Sequence, residues 1–265
     1  MSTRLLYGAN VSANGIRQHY LRYGGAGAPM VIVPGITSPA VTWGFVAERL
    51  AETFDVYVLD VRGRGLSSAG PDLDYGLDAL ADDVIGFIAT LGLEGATILG
   101  HSMGARIAVR TAVRSAAGLA RLALVDPPVS GPGRRPYPSN LPWYVDSIRL
   151  AERGMGSEDM RAFCPTWTEE QLRLRAEWLA TCYEPAIVVA FAGFHTDDIH
   201  ADLPRLPIPA VLMVAGRGGV IRPEDEAEIR ALNPAIRIGR VENAGHMIPW
   251  DDFDGFFATL DALLA

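Results

Sequence analysis

Leu99-Gly100-His101-Ser102-Met103-Gly104 is the segment from which the rest of this sequence can be interpreted. It reads Gly-x-Ser-x-Gly and stands between an apolar run, Ala96–Leu99, and a run of helical periodicity, Ala105–Arg110. This order predicts a buried strand, a sharp turn and a helix, with Ser102 at the apex of the turn. The glycines allow the turn to close where a side chain would collide with the strand or the helix. We therefore interpret Ser102 as a candidate nucleophile that projects above a sheet.

Apolar runs of strand length alternate with helical segments on both sides of this turn. The predicted strands are Leu5–Val11, Ile16–Tyr23, Met30–Val33, Phe54–Asp60, Ala96–Leu99, Leu122–Asp126, Ala210–Ala215 and Ile236–Val241. The predicted helices of this part are Trp43–Glu52, Leu77–Leu91, Ala105–Arg110, Glu224–Leu232 and Asp252–Leu264. Strands that alternate with helices imply right-handed crossovers. The predicted fold class is therefore α/β, with a mostly parallel central sheet flanked by helices.

The alternation stops between Pro127 and Pro207, where proline, glycine, tryptophan and amphipathic segments such as Glu169–Thr181 replace it. We predict that residues 127–207 form a helical cap inserted over the sheet. Residues 1–126 and 208–265 then form the α/β core. A length of 265 residues suits one large domain with an insertion better than two equal domains.

The composition narrows the classes of partner and the compartment. The chain carries 23 basic and 31 acidic residues, a net charge of −8, and no basic stripe, which argues against nucleic acid. No apolar run approaches about 18 residues, which argues against a membrane span. Met1–Arg4 is not followed by a long apolar segment, so we expect no signal peptide and a cytoplasmic protein. These features leave the oligomeric state open.

The two cysteines, Cys164 and Cys182, both lie in the predicted cap. Two cysteines do not make a disulfide framework, so we predict reduced thiols. Neither has the partner spacing of a zinc site, and the chain lacks a dinucleotide-binding fingerprint. We therefore expect no metal and no cofactor.

A serine hydroxyl needs a base before it can act as a nucleophile at neutral pH. The five histidines are His19, His101, His195, His200 and His246. His246 stands in a loop just after the last predicted strand, and the carboxyl ends of parallel strands meet at one edge of a sheet. We predict that His246 is the base. His101 lies within the nucleophile turn, where a packed, hydrogen-bonded histidine is expected.

Two strand ends could supply the acid that orients this base. The turn after Ala210–Ala215, residues Gly216–Ile221, contains no carboxylate, and Glu224 and Asp225 beyond it suit a helix start, where the macrodipole favours negative charge. Asp126 instead ends a buried apolar strand. An unpaired carboxylate there would be costly to bury, and an imidazole N–H would offset that cost. We predict Asp126 as the acid, which gives the chain order nucleophile, acid, base.

A tetrahedral intermediate also needs N–H donors for its oxyanion. The backbone N–H of Met103 follows the nucleophile at a helix N-terminus. We expect the second donor in the loop after Met30–Val33, where Gly35 allows a close approach of the backbone. The N–H of Ile36 is the donor that we predict.

These motifs resemble the α/β-hydrolase fold family over the whole chain. The loops Pro34–Thr37, Asp60–Ser67 and Asn243–His246 and the serine turn fall in the family's order. Pro34 stands where the family often has histidine, a change that leaves the N–H of Ile36 in place. The absence of a carboxylate after Ala210–Ala215 is similar to the family members whose acid follows the preceding strand. Asp60 and Arg62 are expected to brace their loop.

Four further segments resemble the deformylases of bacterial nicotinate catabolism within this family. They are Asn10–Tyr20, Val33–Pro39, Val125–Arg135 and Ala215–Ile221. This resemblance implies cofactor-free hydrolysis of an N-formyl amide that carries a carboxylate, with release of formate.

A small anionic substrate on an acidic protein requires a local cation, and arginine can bind a carboxylate through two hydrogen bonds. The candidates are Arg134, Arg135, Arg175 and Arg217, with Tyr144 as a candidate for the pocket wall. Solvated surface charge and packing of the cap remain alternative roles for these residues.

Two other functions stay open at this point. One is hydrolysis of another carboxylate-bearing ring-cleavage product, at an amide, an ester or a carbon–carbon bond, because one fold hosts many chemistries. The other is a non-catalytic small-molecule receptor. The presence of Ser102, Asp126 and His246 together speaks against the receptor.

Overall fold

Eight strands form one sheet in residues 4–265, the part of the chain that the structure, a computed structural model, describes. In chain order the strands are β1 (Leu5–Ala13), β2 (Ile16–Tyr23), β3 (Ala28–Val33), β4 (Phe54–Leu59), β5 (Ala96–His101), β6 (Leu119–Val125), β7 (Ala210–Ala215) and β8 (Arg237–Val241). Their order across the sheet is β1-β2-β4-β3-β5-β6-β7-β8. Residues 1–3 of the segment Met1–Arg4 lie outside the described part.

The pairing of the strands confirms the predicted, mostly parallel sheet. β1 pairs with β2, and β2 with β4, in antiparallel fashion, and the remaining neighbours from β4 to β8 are parallel. Asn14 and Gly15 form the hairpin turn with φ values of 49° and 74°. β6 begins at Leu119, earlier than the apolar run predicts; in its first three residues Ala120 is exposed and the other two are half-buried. Arg121 interrupts the apolar run, so the apolar pattern begins only at Leu122 and leaves out the first three residues of the strand.

Helices lie between the strands in the order that the α/β class requires. They are α1 (Gly44–Leu50), α2 (Leu77–Leu91), α3 (Met103–Arg114), α4 (Leu141–Glu152), α5 (Ser157–Arg161), α6 (Glu169–Leu179), α7 (Glu184–Thr196), α8 (Pro223–Leu232), α9 (Ile248–Asp251) and α10 (Phe253–Leu264). Short 3₁₀ turns cover Ala40–Trp43 and Leu203–Arg205. Within residues 4–265, no helix combines the length and the apolar character needed to cross a membrane.

The segment between β6 and β7 contains α4 to α7, and these helices pack on one another. α6 begins at Glu169, as predicted, because Thr168 caps it: the Thr168 hydroxyl accepts the N–H of Gln171 at 3.3 Å. Asn140 caps α4 in the same way through the N–H of Trp143. The division into a core and a cap of residues 127–207 stays a proposal.

The sheet and α3 approach each other most closely at the serine turn. A Cβ on Gly104 would lie 1.8 Å from the carbonyl oxygen of Val33, and one on Gly100 would lie 2.3 Å from the carbonyl oxygen of Gly104. Both obstacles are backbone atoms, which cannot rotate away. Glycine at these two positions therefore allows α3 to lie directly on β3 and β5.

Gly104→Ala is expected to lower the free energy of unfolding by about 3 kcal/mol, because the added methyl must displace the backbone of β3. Urea unfolding followed by circular dichroism measures the change. Gly156→Ala is the matched control, since its Cβ would meet only Asp159 Oδ2 at 3.8 Å. A Gly104→Ala protein as stable as this control would contradict the close approach of α3.

Candidate active site

Ser102 connects β5 to α3 in a backbone conformation that few non-glycine residues adopt. Its φ and ψ are 54° and −118°. The Ser102 N–H donates to the carbonyl of Val125 at 2.8 Å, which ties the turn to β6. A strained residue of this kind persists only where the surrounding structure holds it in place. The turn presents the Ser102 hydroxyl at the carboxyl edge of the sheet, where β6, β7 and β8 also end.

The structure brings together the three residues predicted to be catalytic. His246 Nε2 lies 2.9 Å from Ser102 Oγ, and His246 Nδ1 lies 2.7 Å from Asp126 Oδ2. Asp126 is fully buried, and its Oδ1 accepts the N–H of Ala215 at 3.3 Å. A carboxylate that accepts the Nδ1 proton fixes the imidazole as an Nε2 acceptor toward the serine. The three side chains therefore form the hydrogen-bond chain of an activated serine.

Glycine in the turn after β7 makes room for Asp126 and His246. A Cβ on Gly218 would lie 3.1 Å from the backbone nitrogen of His246 and 3.4 Å from Asp126 Oδ2. The loop that carries His246 is fixed separately, because Asp251 Oδ2 accepts the N–H of Gly245 at 2.9 Å. The turn after β7, which lacks a carboxylate, thus leaves space for Asp126 at the end of the neighbouring strand β6.

His101 supports the base from behind. The His101 Nε2 lies 2.9 Å from the carbonyl oxygen of His246, and the two rings are 5.0 Å apart. Burial, and to a lesser degree the nearby His246 ring, lowers the pKa of His101 to about 3. His101 is therefore neutral at physiological pH, and its Nε2–H donates to the His246 carbonyl. This is the packed, hydrogen-bonded histidine expected from its place in the turn.

Ile36 and Met103, predicted to hold the oxyanion, flank Ser102 and share a common neighbour, Arg64. Arg64 Nε donates to the Ile36 carbonyl at 3.0 Å, and Arg64 Nη2 lies 3.6 Å from Met103 Sδ. Arg64 is 1% exposed, and its hydrogen-bond partners among residues 4–265 are backbone carbonyls and the Met103 sulfur, with no carboxylate. Burial lowers its pKa to about 10, which leaves it charged at neutral pH. Sequence reasoning missed this buried cation, which holds the turn of Ile36.

Asp60 and Arg62 brace the neighbouring loop, as the sequence predicts. Asp60 Oδ2 lies 2.7 Å from His19 Nδ1, and Asp60 Oδ1 accepts the N–H of Ala40 at 2.6 Å. Arg62 donates two hydrogen bonds of 2.5 Å to Asp83 on α2. None of these side chains reaches Ser102, so their contribution is to the shape of the loop that carries Arg64.

A cavity of about 280 Å³ opens above Ser102. Residues of the segment between β6 and β7 form much of its wall, together with the Ile36 turn and His246: Tyr137, Trp143, Tyr144, Cys164, Trp167 and Arg175. Cys164 and Cys182 are both buried free thiols, and burial raises the pKa of each. Only Cys164 reaches the cavity.

Arg175 is the predicted substrate-binding arginine that the structure places at the cavity. Its Nη1 and Nη2 donate to the carbonyl and hydroxyl of Thr37, both at 3.1 Å. Its guanidinium lies 5.9 Å from the ring centre of Trp143 and 5.6 Å from that of Trp167. Its Nε is buried with no hydrogen-bond partner within residues 4–265. Each Nη atom carries a second N–H besides the one that Thr37 accepts, so this cation at the cavity wall suits an anionic ligand.

The other three candidate arginines do not line the cavity, which corrects the prediction that they meet the substrate. Arg134 donates to Glu228 at 2.6 and 2.7 Å, and Arg135 donates to Asp225 at 2.7 Å. Acidic residues of α8 thus neutralise both arginines. Arg217 is exposed at the end of β7. Tyr144, in contrast, lines the cavity as predicted.

Tyr137 is a site residue that the sequence analysis did not identify. Its hydroxyl lies 3.3 Å from His246 Nε2, and the Tyr144 hydroxyl donates to it at 3.4 Å. Its backbone N–H donates to His195 Nε2 at 3.3 Å, so His195 supports the loop from outside the cavity. His200 contacts the carbonyl of Val129 instead. A tyrosine between two prolines in an irregular loop gives no periodic signal.

The fold and the site define a class of enzyme. Residues 28–253 match the family described as alpha/beta hydrolase fold, and the chain belongs to this family. It is 69% identical over 264 residues to N-formylmaleamate deformylase of Pseudomonas putida. The alignment covers 100% of this chain and 98% of the relative. The family resemblance and the fold class predicted from the sequence are confirmed.

Solved structures agree with this assignment. A crystal structure of an N-formylmaleamic acid deformylase from Pseudomonas putida superposes with a TM-score of 0.93 at 59% identity, and covers 96% of this chain and 100% of its own. The crystal structure of E-2-(acetamidomethylene)succinate hydrolase gives a TM-score of 0.79 at 20% identity, covering 97% and 98% of the two chains. The second likeness establishes the fold alone.

The neutral state of His101 makes the stability of the protein fall in acid. The folded pKa of about 3 lies below the unfolded value of about 6.5, so the unfolded chain binds the proton more readily below about pH 6.5. The stabilising contribution is complete above that pH and is lost progressively down to about pH 3. Proton uptake by His101 in the unfolded chain should therefore lower the free energy of unfolding by about 2 kcal/mol when the pH falls from 7.5 to 5.

Urea unfolding at the two pH values measures this loss, and His101→Gln is the control variant that cannot take up the proton. The difference between the two pH values should shrink by about 2 kcal/mol in His101→Gln. An equal acid sensitivity in both proteins would refute the assignment to His101.

Proposed function

We propose that this chain hydrolyses N-formylmaleamate to maleamate and formate, with Ser102 as nucleophile, His246 as general base and Asp126 as the acid that orients it. One observation carries the proposal. The 2.9 Å and 2.7 Å contacts of His246 with Ser102 and Asp126 lie beneath a small cavity. They occur in a chain that is 69% identical to an N-formylmaleamate deformylase. The reaction hydrolyses an amide-type C–N bond.

The first step forms a bond between Ser102 Oγ and the formyl carbon. His246 Nε2 accepts the hydroxyl proton as the bond forms, and buried Asp126 stabilises the resulting imidazolium. The formyl oxygen takes up negative charge, for which the N–H groups of Ile36 and Met103 are the donors. Met103 is the first residue of α3, so its N–H has no intrahelical acceptor and is free to donate.

The second half of the reaction breaks the C–N bond and then removes the formyl group from Ser102. The departing nitrogen is conjugated to a second carbonyl, so it leaves more readily than the nitrogen of a simple amine. Its protonation releases maleamate and leaves a formyl ester on Ser102. Water that loses a proton to His246 attacks this ester and releases formate.

The substrate is a small carboxylate, and Arg175 is the residue proposed to bind it. Arg175 lines the cavity, and Thr37 holds its two Nη nitrogens in place. Trp143, Trp167 and Tyr144 form an apolar wall around it, which strengthens a charge-assisted hydrogen bond by excluding water. The acidic protein thus presents a positive charge where the substrate carries a negative one.

The organisation and location of the chain complete the proposal. We propose that residues 127–207 act as a cap over a core formed by residues 1–126 and 208–265. The free thiols Cys164 and Cys182 suit a reducing, cytoplasmic compartment. The net charge of −8 favours a small molecule rather than nucleic acid as the partner.

Formate release from synthetic N-formylmaleamate is the measurement that tests the function. Wild-type protein should release formate, and Ser102→Ala should lose at least about 10⁴-fold in kcat because the triad acts as a unit. Ser157→Ala serves as the matched control, since Ser157 lies in α5 and contacts Glu169. Esters and dienoic acids are tested in parallel. Faster turnover of one of those compounds would show that N-formylmaleamate is not the preferred substrate. Formate release by Ser102→Ala would refute the role of Ser102 as nucleophile.

Arg175→Met is expected to raise the KM for N-formylmaleamate by about 10- to 100-fold, because a charge-assisted hydrogen bond to the carboxylate is lost. The KM for the uncharged ester 4-nitrophenyl formate should change by less than about threefold. Arg173→Met is the control, since Arg173 lies on the same helix and pairs with Glu177. Equal changes of KM for the acid and the ester would exclude a carboxylate contact.

A further inference from the structure

The hydroxyl of Tyr137 lies at the catalytic nitrogen of His246. His246 Nε2 has two hydroxyl neighbours, Ser102 Oγ at 2.9 Å and Tyr137 Oη at 3.3 Å. Tyr137 and Ser102 both line the cavity. The base, the nucleophile and this tyrosine therefore meet within one small region of the cavity.

The tyrosine ring is fixed by its surroundings. Tyr137 is 6% exposed, and its ring packs against Phe194 at 5.1 Å, against Phe191 at 6.2 Å and edge-on to His246 at 6.1 Å. The backbone N–H of Tyr137 is held by His195 Nε2. Ring packing and this backbone hydrogen bond thus hold the Tyr137 hydroxyl at His246. Within residues 4–265, the hydroxyl itself has side-chain partners only, His246 and Tyr144.

The hydrogen bonds around Tyr137 set the direction of its proton. Tyr144 donates to the Tyr137 oxygen at 3.4 Å, and His246 Nε2 accepts the Ser102 hydroxyl, so the Tyr137 proton remains available to a bound substrate. Burial, with a smaller contribution from Tyr144, raises the pKa of Tyr137 well above its ordinary value. The hydroxyl is therefore a proton donor at neutral pH and never the resting base.

The imidazole itself has little freedom to carry its proton to a second partner. Asp126 holds Nδ1, and the backbone carbonyl of His246 is bound by His101. The proton that His246 takes from Ser102 lies along the line to Oγ. The departing nitrogen is a different substituent of the tetrahedral carbon, so the proton has to move away from Oγ to reach it. Tyr137 provides a second hydroxyl within reach of Nε2 and of the space above Ser102.

We propose that Tyr137 is a catalytic residue that relays the proton from His246 to the departing nitrogen. This inference rests on the proposed function. In the tetrahedral intermediate the C–N bond breaks and its electron pair goes to nitrogen. The Tyr137 proton moves to that nitrogen, and the Nε2 proton of the imidazolium moves to the Tyr137 oxygen. The products of the step are maleamate, the formyl ester of Ser102, neutral His246 and neutral Tyr137, so charge and atoms balance.

The chemistry of the leaving group explains why such a donor is needed. An amide nitrogen that departs without a proton becomes a strongly basic anion, whereas 4-nitrophenolate is a stable anion that needs none. A positioned proton donor typically contributes 10²- to 10⁴-fold to rate. The contribution of Tyr137 should therefore depend on the substrate.

Tyr137→Phe tests the relay through this dependence on the leaving group. The variant should lose about 100-fold in kcat for N-formylmaleamate and less than about threefold for 4-nitrophenyl formate. Tyr144→Phe leaves the Tyr137 proton donor in place and should show a smaller loss on the amide alone. Tyr183→Phe, which removes a hydroxyl elsewhere in the segment between β6 and β7, is the control and should match wild type on both substrates.

Equal losses on the amide and the ester would show that Tyr137 has a structural role, and no loss on either would exclude it from catalysis. Substituted phenyl formates provide a measurement on wild-type protein that needs no variant. Wild type should show a weak dependence of kcat/KM on the pKa of the leaving phenol, and Tyr137→Phe a steeper one. A steep dependence in wild type would overturn the relay. Failure to cleave N-formylmaleamate with a weak dependence on phenyl formates would instead refute the substrate and retain Tyr137.

Discussion

The contact of Gly104 with the carbonyl of Val33 is the constraint on which the rest of the site depends. It allows α3 to begin directly above β3 and β5, so the chain turns from strand to helix within the single residue Ser102. That residue takes a φ of 54°, a conformation that costs on the order of 1 to 3 kcal/mol. The hydrogen bond to Val125 and the packing of α3 offset this strain, and they place both Ser102 Oγ and the Met103 N–H at one point.

The parallel sheet brings distant parts of the chain to that point, and buried charge then prepares it for anionic chemistry. Asp126 follows β6, and His246 follows β8, with the glycine turn of β7 between them. Arg64 is a buried guanidinium behind the Ile36 turn, and no carboxylate among residues 4–265 neutralises it. An oxyanion that forms near Ile36 therefore experiences a positive potential in a protein whose net charge is −8.

The sequence was informative where function is coupled to backbone topology. The motif at Ser102 and the edge rule for parallel sheets were sufficient to predict which serine, carboxylate and histidine would meet. The direction of a long side chain carries no such rule. Arg134 and Arg135 follow Asp126 closely in sequence, yet acidic residues on α8 bind them, and neither the pairing nor its partner helix is visible from local sequence. Tyr137 was missed for the same reason, since its place depends on the path of an irregular loop.

The two parts of the chain divide the chemistry of the proposed reaction. β3, β5, β6 and β8 supply the oxyanion donors, the nucleophile, the acid and the base, which are what any acyl transfer to serine requires. Tyr137, Tyr144 and Arg175 come from the segment between β6 and β7, and they line the cavity. A core of this kind can attack many carbonyls. In the proposed reaction, the side chains above it determine which nitrogen receives a proton and which carboxylate is held, so we place specificity for a formyl amide in that segment.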